Sequence, residues 1–342
     1  MSPKHQSGYS NIRAISCIAI CILHTFFAAV SIFQPEKGLY AASYAVRNAM
    51  YFAVPCFVMV TGALLLDPAR EIGFSKLFGR YIRRILLALV IFTLLFALFD
   101  AVTKGETIGS AALKDWLFAL FFDKSWAHMW YLYMLLGLYL LLPFYRKAAA
   151  ASDRTELRYL LLVYLVFQSG IPLITRLSGN TPGFYISVYT VYPLYLFLGY
   201  ALKEGAVRIP RGIALLLVLA GTAVIAVPSY LAYAGDLEAV QKIVGNYSYP
   251  GVIAQAAGAY ALIDSLSGDG AVSRLLQKID ENSFGIYLIH MVFLKLVTFV
   301  WKWNPYAHGG LLMVLGLSLA VFAVSWAAVW LLRKIPGVKK VL

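Results

Sequence analysis

Apolar stretches long enough to cross a lipid bilayer recur along the whole chain, and they constrain the fold more than any other feature. A spanning α-helix needs about 20 mostly apolar residues. The sequence predicts ten such spans, at residues 12–33, 45–66, 82–101, 129–146, 157–174, 184–202, 211–232, 248–266, 283–302 and 310–332. Hydrophobic residues make up 61% of the chain and mean hydropathy is +0.76, which excludes an ordinary soluble domain. We expect an all-α, polytopic membrane bundle, with residues 1–342 forming a single transmembrane domain.

The distribution of basic residues predicts the orientation of these helices. With the amino terminus in the cytoplasm, most of the 29 Lys and Arg residues fall on the side that carries both termini. Because cytoplasmic loops are enriched in Lys and Arg, both termini are predicted to be cytoplasmic. The formal net charge of +13 is then a topology signal that also attracts anionic lipid headgroups, and it requires no nucleic-acid partner.

Two ionisable residues lie inside the first span. Arg13 and His24 are almost three helical turns apart, so they share one face and are separated by about 16 Å along the axis. Arg13 is predicted near one membrane surface and His24 near mid-depth. Ionisable side chains are costly at that depth and mark functional sites. In this span, only the imidazole of His24 suits proton transfer near neutral pH.

Three arginines mark the cytoplasmic start of the third span. Arg80 precedes Arg83 and Arg84 by three and four residues, so all three are neighbours on a helix surface. Guanidinium groups bind phosphates through paired, charge-assisted hydrogen bonds. The cluster either anchors the helix at the lipid headgroups or binds a phosphate-bearing donor such as acyl-CoA, and the sequence leaves both interpretations open.

The fourth span opens with a histidine and several aromatic residues. His128, Trp130 and Tyr131 stand at its predicted outer end. Rings at that depth form either an interfacial belt or the mouth of a sugar site.

The ninth span carries three further polar residues, Tyr287, His290 and Lys295. His290 lies well inside the membrane, where it either makes structural hydrogen bonds or takes a direct functional role. Lys295 follows about 140° around the helix, so the two do not share a face. We expect Lys295 to pair with another helix or to extend towards the surface.

The three cysteines, Cys17, Cys21 and Cys56, lie within predicted spans and lack metal-site spacing. Cysteines of this kind pack as small apolar side chains. We therefore expect neither a disulfide framework nor a metal site.

The order of these segments resembles the membrane acyltransferase-3 family. The first-span signature of that family, a basic residue, ten further residues and a histidine, is matched by Arg13 and His24. Its second-span pattern, Val-Pro, an aliphatic residue and two phenylalanines before Ser-Gly, corresponds here to Val54-Pro55-Cys56-Phe57-Val58-Met59-Val60-Thr61-Gly62. Thr61 stands where serine is usual. Further similar segments are Arg80 with Arg83 or Arg84, the stretch His128-Met129-Trp130-Tyr131, and Gly285-Ile286-Tyr287-Leu288-Ile289-His290.

The resemblance implies an O-acyltransferase without a permanently bound cofactor. Such an enzyme moves an acyl group, commonly acetyl, from cytoplasmic acetyl-CoA or another acyl-CoA to a hydroxyl of a cell-surface polysaccharide or lipid-linked glycan. His24 would act as the base or as a nucleophile that carries the acyl group, and Arg13 would hold a donor phosphate or orient the site. Arg80, Arg83 and Arg84 would bind the CoA phosphates. Roles in substrate binding or support would fall to His128, Trp130, Tyr131, Tyr287 and His290.

The chain resembles the stand-alone form of the family, which has no extracytoplasmic esterase-like domain. It is therefore expected to act alone or to pass the acyl group to a separate extracytoplasmic transferase. Its expected location is the cell inner (plasma) membrane, as a multi-pass protein in contact with lipid.

Two other functions fit parts of the sequence. Ten spans, intramembrane charge and a helix rich in small residues at 251–258 suit a transporter or exporter of a glycan or small anion. A haem protein could use His24 and His290 as axial ligands if both rings faced one plane.

Overall fold

The computed structural model of the protein describes residues 3–106, 110–183 and 190–338. These residues contain helices and no strand, so the all-α prediction is confirmed. In chain order the helices are α1 Pro3–Phe33, α2 Lys37–Ala49, α3 Ala53–Leu65, α4 Phe74–Lys104, α5 Ser110–Phe121, α6 Ala127–Ala151, α7 Arg154–Ser178, α8 Tyr192–Lys203, α9 Arg211–Ala234, α10 Glu238–Val244, α11 Pro250–Leu266, α12 Ala271–Asp280, α13 Ser283–Val300 and α14 Pro305–Leu332. Three of them contain π-helical turns, at Leu77–Ile82, Val166–Gly170 and Leu296–Val300.

Local sequence explains where several helices begin and end. At the start of α7, the Asp153 carboxylate accepts hydrogen bonds from the amides of Thr155 and Glu156, while the Glu156 carboxylate accepts one from the Asp153 amide. This reciprocal arrangement satisfies backbone donors that have no partner within the helix. α4 ends at Gly105, whose φ of 70° is easily reached only without a Cβ atom.

Eight helical stretches in the described part of the chain are long and apolar enough to span a membrane, and one of them, Lys37–Leu65, combines α2 and α3. They correspond to all of the predicted spans except the sixth and the eighth. α14 contains a kink at Gly309 and Gly310, so its regular part begins where the tenth span is predicted to begin.

The sixth predicted span, at 184–202, includes residues 184–189, which lie outside the described residues; its described part contains α8, of 12 residues. The eighth predicted span corresponds to α11, of 17 residues. Almost all residues of α8 between Pro193 and Ala201 are buried against other helices. Its apolar composition therefore serves the protein core, which sequence alone does not distinguish from lipid contact.

The first helix lies at the centre of the bundle. α1 contacts α2, α3, α11, α12, α13 and α14. Side chains along its length, including Ile12, Cys17 and Phe26, are buried. Because α1 is surrounded by other helices, Arg13 and His24 face protein rather than lipid.

Candidate active site

A cavity of about 450 Å³ lies between α1, α3, α4, α6 and α13. Its charged lining consists of four arginines and two acidic residues, namely Arg13, Arg70, Arg80, Arg84, Asp280 and Glu281. The rest is mostly aromatic and aliphatic, and we call this space the arginine cavity. Guanidinium groups outnumber carboxylates here, which favours an anionic ligand.

Arg13 is held by an acidic residue at the end of α12. Its Nε donates to Oδ1 of Asp280 at 2.7 Å, and its Nη2 donates to Oδ2 at 2.5 Å. A paired contact of this kind fixes both the position and the plane of the guanidinium. Arg13 is therefore an oriented wall of the cavity rather than a mobile phosphate ligand.

The three arginines predicted on the third span take different positions. Arg80 and Arg84 line the cavity, and the Arg84 guanidinium lies over the Phe284 ring at 4.6 Å. Arg83 is not part of this lining. Its role in binding the CoA phosphates stays a prediction.

Arg70 reaches the cavity from the segment between α3 and α4. Arg146 of α6 fixes this segment: it donates to the carbonyl oxygens of Leu65, Asp67 and Arg70. Partial burial acts to raise the pKa of Asp67, but hydrogen bonds from the Lys203 ammonium and the Ala69 amide lower it below its usual value overall. The carboxylate thus stays ionised and keeps the segment in place.

Three histidines from separate helices meet above the cavity. The ring centroids of His24 and His290 are 5.0 Å apart, and His128 lies 6.2 Å from His24 and 5.4 Å from His290. His290 is fully buried. His128 follows His24 by 104 positions, and His290 follows His128 by 162 positions. The fold thus brings three histidines that are distant in the sequence into one cluster.

Hydrogen bonds define the proton positions in this cluster. Nδ1 of His290 lies 2.7 Å from the Tyr287 carbonyl oxygen and 3.1 Å from that of Ile286, so it must donate. In a neutral ring, Nε2 of His290 is then an acceptor. It lies 2.7 Å from Nδ1 of His24, which therefore donates to it. This assignment leaves the lone pair of His24 on Nε2.

The same contact does not suit haem. The facing nitrogen atoms of His24 and His290 are 2.7 Å apart, whereas two typical metal–imidazole bonds of about 2 Å each would separate them by about 4 Å. Among the residues that the structure describes, no group of three or more His, Cys, Asp or Glu side chains could hold a metal ion. Cys17, Cys21 and Cys56 are buried free thiols.

The arginine cavity ends one helical turn short of His24. Its lining on α1 includes Ile20, four residues before His24 and on the same face, but not His24 itself. Its lining on α13 includes Tyr287, whose hydroxyl donates to the carbonyl oxygen of His128. The remaining distance along α1 is about 6 Å. The extended end of a ligand in the cavity would have to pass these side chains to reach the imidazole.

Tyr131 and Trp130, which the sequence analysis assigned to substrate binding or support, lie on α6 near the end of the cavity that approaches His24. Tyr131 lines the cavity, and its ring lies 5.3 Å from that of Tyr287. Trp130 does not line it; its ring contacts those of Tyr131, Tyr192 and Tyr247 at 6.2, 5.8 and 5.6 Å. Tyr131 therefore lies on the face of α6 that lines the arginine cavity, and Trp130 lies on a neighbouring face.

Comparison with known proteins assigns a class to this arrangement. A family model described as an acyltransferase domain matches residues 7–330, nearly the whole chain. The chain belongs to the acyltransferase-3 family. No curated protein and no solved structure matches it. The acyltransferase is thus a helical membrane protein, in which Arg13 lines the arginine cavity and His24 belongs to the histidine cluster.

Three charged residues of the acyltransferase cavity, Arg70, Asp280 and Glu281, were not singled out by the sequence analysis. Asp280 and Arg70 lie outside the apolar spans, where charged residues are common and carry little signal. Asp280 follows Arg13 by 267 positions, so nothing in the sequence pairs them. A search for acidic residues directly before the ninth span would have found Asp280 as one candidate.

Lys295 pairs within the acyltransferase, which agrees with the expectation from its depth. Its Nζ donates to Oδ1 of Asp100 at 2.9 Å and lies 3.8 Å from the centre of the Trp126 ring. The Trp126 indole donates to the other carboxylate oxygen of Asp100 at 2.8 Å. This cluster joins α4 and α13 beyond the histidines.

Proposed function

We propose that the acyltransferase moves an acyl group, in the simplest case acetyl, from cytoplasmic acyl-CoA to a hydroxyl of a cell-surface polysaccharide or lipid-linked glycan. Its place would be the cell inner (plasma) membrane. One observation carries the proposal: an arginine-lined cavity ends one helical turn below a histidine that is hydrogen-bonded as a base.

The donor fits the charges of the arginine cavity. The phosphate groups of CoA are anions that guanidinium groups bind through charge-assisted hydrogen bonds. Arg70, Arg80 and Arg84 supply such groups in the lining of the cavity. The aromatic side chains further in, including Tyr131 and Tyr287, suit the uncharged arm that carries the thioester.

The reaction needs one proton acceptor. In this proposal, Nε2 of His24 takes the proton of the acceptor hydroxyl as its oxygen attacks the thioester carbonyl carbon. A carbon–oxygen bond forms, the carbon–sulfur bond breaks, and His24 passes the proton to the leaving thiolate. Throughout, Nδ1–H of His24 donates to His290, which orients the imidazole and stabilises it while it carries the extra proton.

The proposal is tested by following label from the donor. Membrane vesicles with accessible cytoplasmic faces are supplied with acetyl-CoA labelled in the acetyl group, and label is counted in the polysaccharide and lipid-linked sugar fractions. We expect transfer by the wild type and none by the His24→Ala variant. Mass spectrometry of glycans from cells with and without the protein should show the corresponding loss of one acetyl group.

A second histidine variant provides the matched control. His308 is exposed and stacks on Trp303 at 5.3 Å, away from the cluster. The His308→Ala variant should transfer label at the wild-type rate. Full transfer by His24→Ala, in protein that elutes and melts as the wild type does, would contradict the proposed role of His24.

A further inference from the structure

Arg47 of α2 is enclosed by aromatic rings. Its guanidinium carbon lies 4.7, 5.4 and 5.6 Å from the ring centres of Phe27, Tyr44 and Tyr51. Its Nε is shielded from solvent and has no hydrogen-bond partner in the described structure. Nη1 donates to Oδ1 of the neighbouring Asn48 at 3.3 Å, which is at the long end for such a bond.

Among the described residues, no carboxylate forms an ion pair with Arg47. Arg47 has no ion pair in residues 3–106, 110–183 and 190–338, and none of the residues outside these ranges is Asp or Glu. Other basic residues of the bundle are paired, as Arg13 with Asp280 and Lys295 with Asp100 are. A partly buried cation without a counter-ion is costly, so an anion from outside the chain would find a favourable place here.

Arg47 lies just beyond the histidine cluster. Phe27, on which its guanidinium packs, follows His24 by three residues on α1, about one helical turn further from Arg13. The arginine cavity therefore approaches His24 from one side and Arg47 lies on the other. A ligand at Arg47 would meet the imidazole from the side opposite the proposed donor.

A series of rings leads from Arg47 towards the arginine cavity. We call it the aromatic run, and it consists of Tyr51, Tyr247 and Trp130. Successive ring centres are 5.0 and 5.6 Å apart, and the Trp130 ring lies 6.2 Å from that of Tyr131, which lines the arginine cavity. Tyr and Trp combine an apolar face with a polar edge, which suits both the C–H faces and the hydroxyls of a sugar.

We propose that Arg47 and the aromatic run form the acceptor subsite and select an acidic sugar, a hexose unit that carries a carboxylate or a phosphate. The anionic group binds the guanidinium, and the ring of the sugar lies against the aromatic run with a hydroxyl directed to Nε2 of His24. This inference rests on the proposed function, because it supplies the chemical class of the acceptor.

The test measures sugar binding by the purified, full-length protein in detergent micelles. Isothermal titration is carried out with glucuronic acid, glucose 1-phosphate and neutral glucose. We expect at least one anionic sugar to bind about 10-fold or more tightly than glucose, with an affinity that falls as salt is added. The Arg47→Gln variant should lose this preference and Arg47→Lys should keep part of it.

The two anionic sugars distinguish the source of the charge. Preference for glucuronic acid indicates an acidic polysaccharide, and preference for glucose 1-phosphate indicates a lipid-linked sugar phosphate. The matched control is Lys37→Gln, which removes a positive charge from the same helix but from an exposed pair with Asp236, and it should bind as the wild type does.

Equal binding of glucose and both anionic sugars by the wild type would overturn the inference, and so would an unchanged preference in Arg47→Gln. If Arg47→Gln does not fold, the salt dependence of the wild type decides the matter. Label transfer from acetyl-CoA is scored separately. Selective binding of an anionic sugar without any transfer contradicts the proposed function, whereas transfer to neutral and anionic sugars alike contradicts the subsite alone.

Discussion

Nδ1 of His24 lies 2.7 Å from Nε2 of His290, and this contact determines which nitrogen of His24 is available as a base. His290 is itself fixed by two backbone carbonyl oxygens of its own helix. In the proposed mechanism, His290 therefore orients the imidazole of His24 as a base. This role can be tested separately from a structural role of His290.

Replacing His290 should slow the reaction more than it weakens donor binding. In His290→Ala, His24 loses its acceptor and can take the unproductive tautomer, so we expect kcat to fall about 10- to 100-fold. His290→Gln places an amide oxygen near the position of Nε2 and should recover part of the rate. The measurement is kcat and KM for acetyl-CoA in both variants. Equal kcat values in the alanine and glutamine variants would argue against the positioning role.

Donor affinity should depend on Arg80 and Arg84 but not on Arg83. The first two line the arginine cavity, whereas Arg83 does not. We expect Arg80→Gln and Arg84→Gln each to raise KM for acetyl-CoA about 10-fold, because each removes a charge-assisted contact to phosphate. Arg83→Gln is the matched control on the same helix. A rise in KM of similar size in all three variants would indicate a general surface charge effect instead.

The pair of Arg13 and Asp280 should show strong coupling. The Asp280 side chain is only 8% exposed, and Arg13 donates to both of its oxygens. We expect Asp280→Asn and Arg13→Gln each to destabilise the protein by about 1–3 kcal/mol, with the double variant losing less than the sum. Thermal melting of the four proteins in detergent measures this.

An exposed ion pair gives the comparison for this cycle. Lys37 and Asp236 are 60% and 77% exposed, so the same cycle on that pair should show little loss and little coupling. Additive losses at Arg13 and Asp280 would mean that the two side chains stabilise the protein independently.

Helical periodicity predicted which residues of the first helix share a face. The spacing of Arg13 and His24 places both on one helix face, and that face lies at the centre of the bundle. The sequence also placed His290 inside the membrane, whereas it placed His128 at the outer end of the fourth span. It could not show that the three rings meet, because that depends on packing between helices distant in the chain.

The rest has physical causes. Apolar composition does not separate lipid-facing residues from buried ones, so the sequence could not show that α8 and α11 pack among other helices. The π-helical turn Leu77–Ile82 includes Arg80 and changes the register of α4, so the arginine facing the cavity beside Arg80 could not be read from spacing. Asp280 and Arg70 lie in segments without periodicity. Their places follow from the tertiary contacts of Arg13 and Arg146.

The packing of α3 against α8 should depend on two glycines. A Cβ atom at Gly62 would collide with the carbonyl group of Leu196, and one at Gly199 would collide with that of Met59. The two helices thus touch backbone to backbone, and each glycine faces the main chain of the other helix. Small residues permit this close approach between helices in membranes.

We expect Gly62→Ala and Gly199→Ala each to force these helices apart and to destabilise the protein by about 1–3 kcal/mol or more. Gly137 of α6 is the control, because a Cβ atom there meets nothing within 4 Å. Since alanine favours the helix over glycine, Gly137→Ala should leave the melting temperature unchanged or raise it.

Because Thr61 and Phe57 of α3 line the arginine cavity, Gly62→Ala and Gly199→Ala should also lower acyl-CoA affinity. Melting curves with and without acyl-CoA test both effects, and a wild-type melting temperature in Gly62→Ala would contradict the close approach.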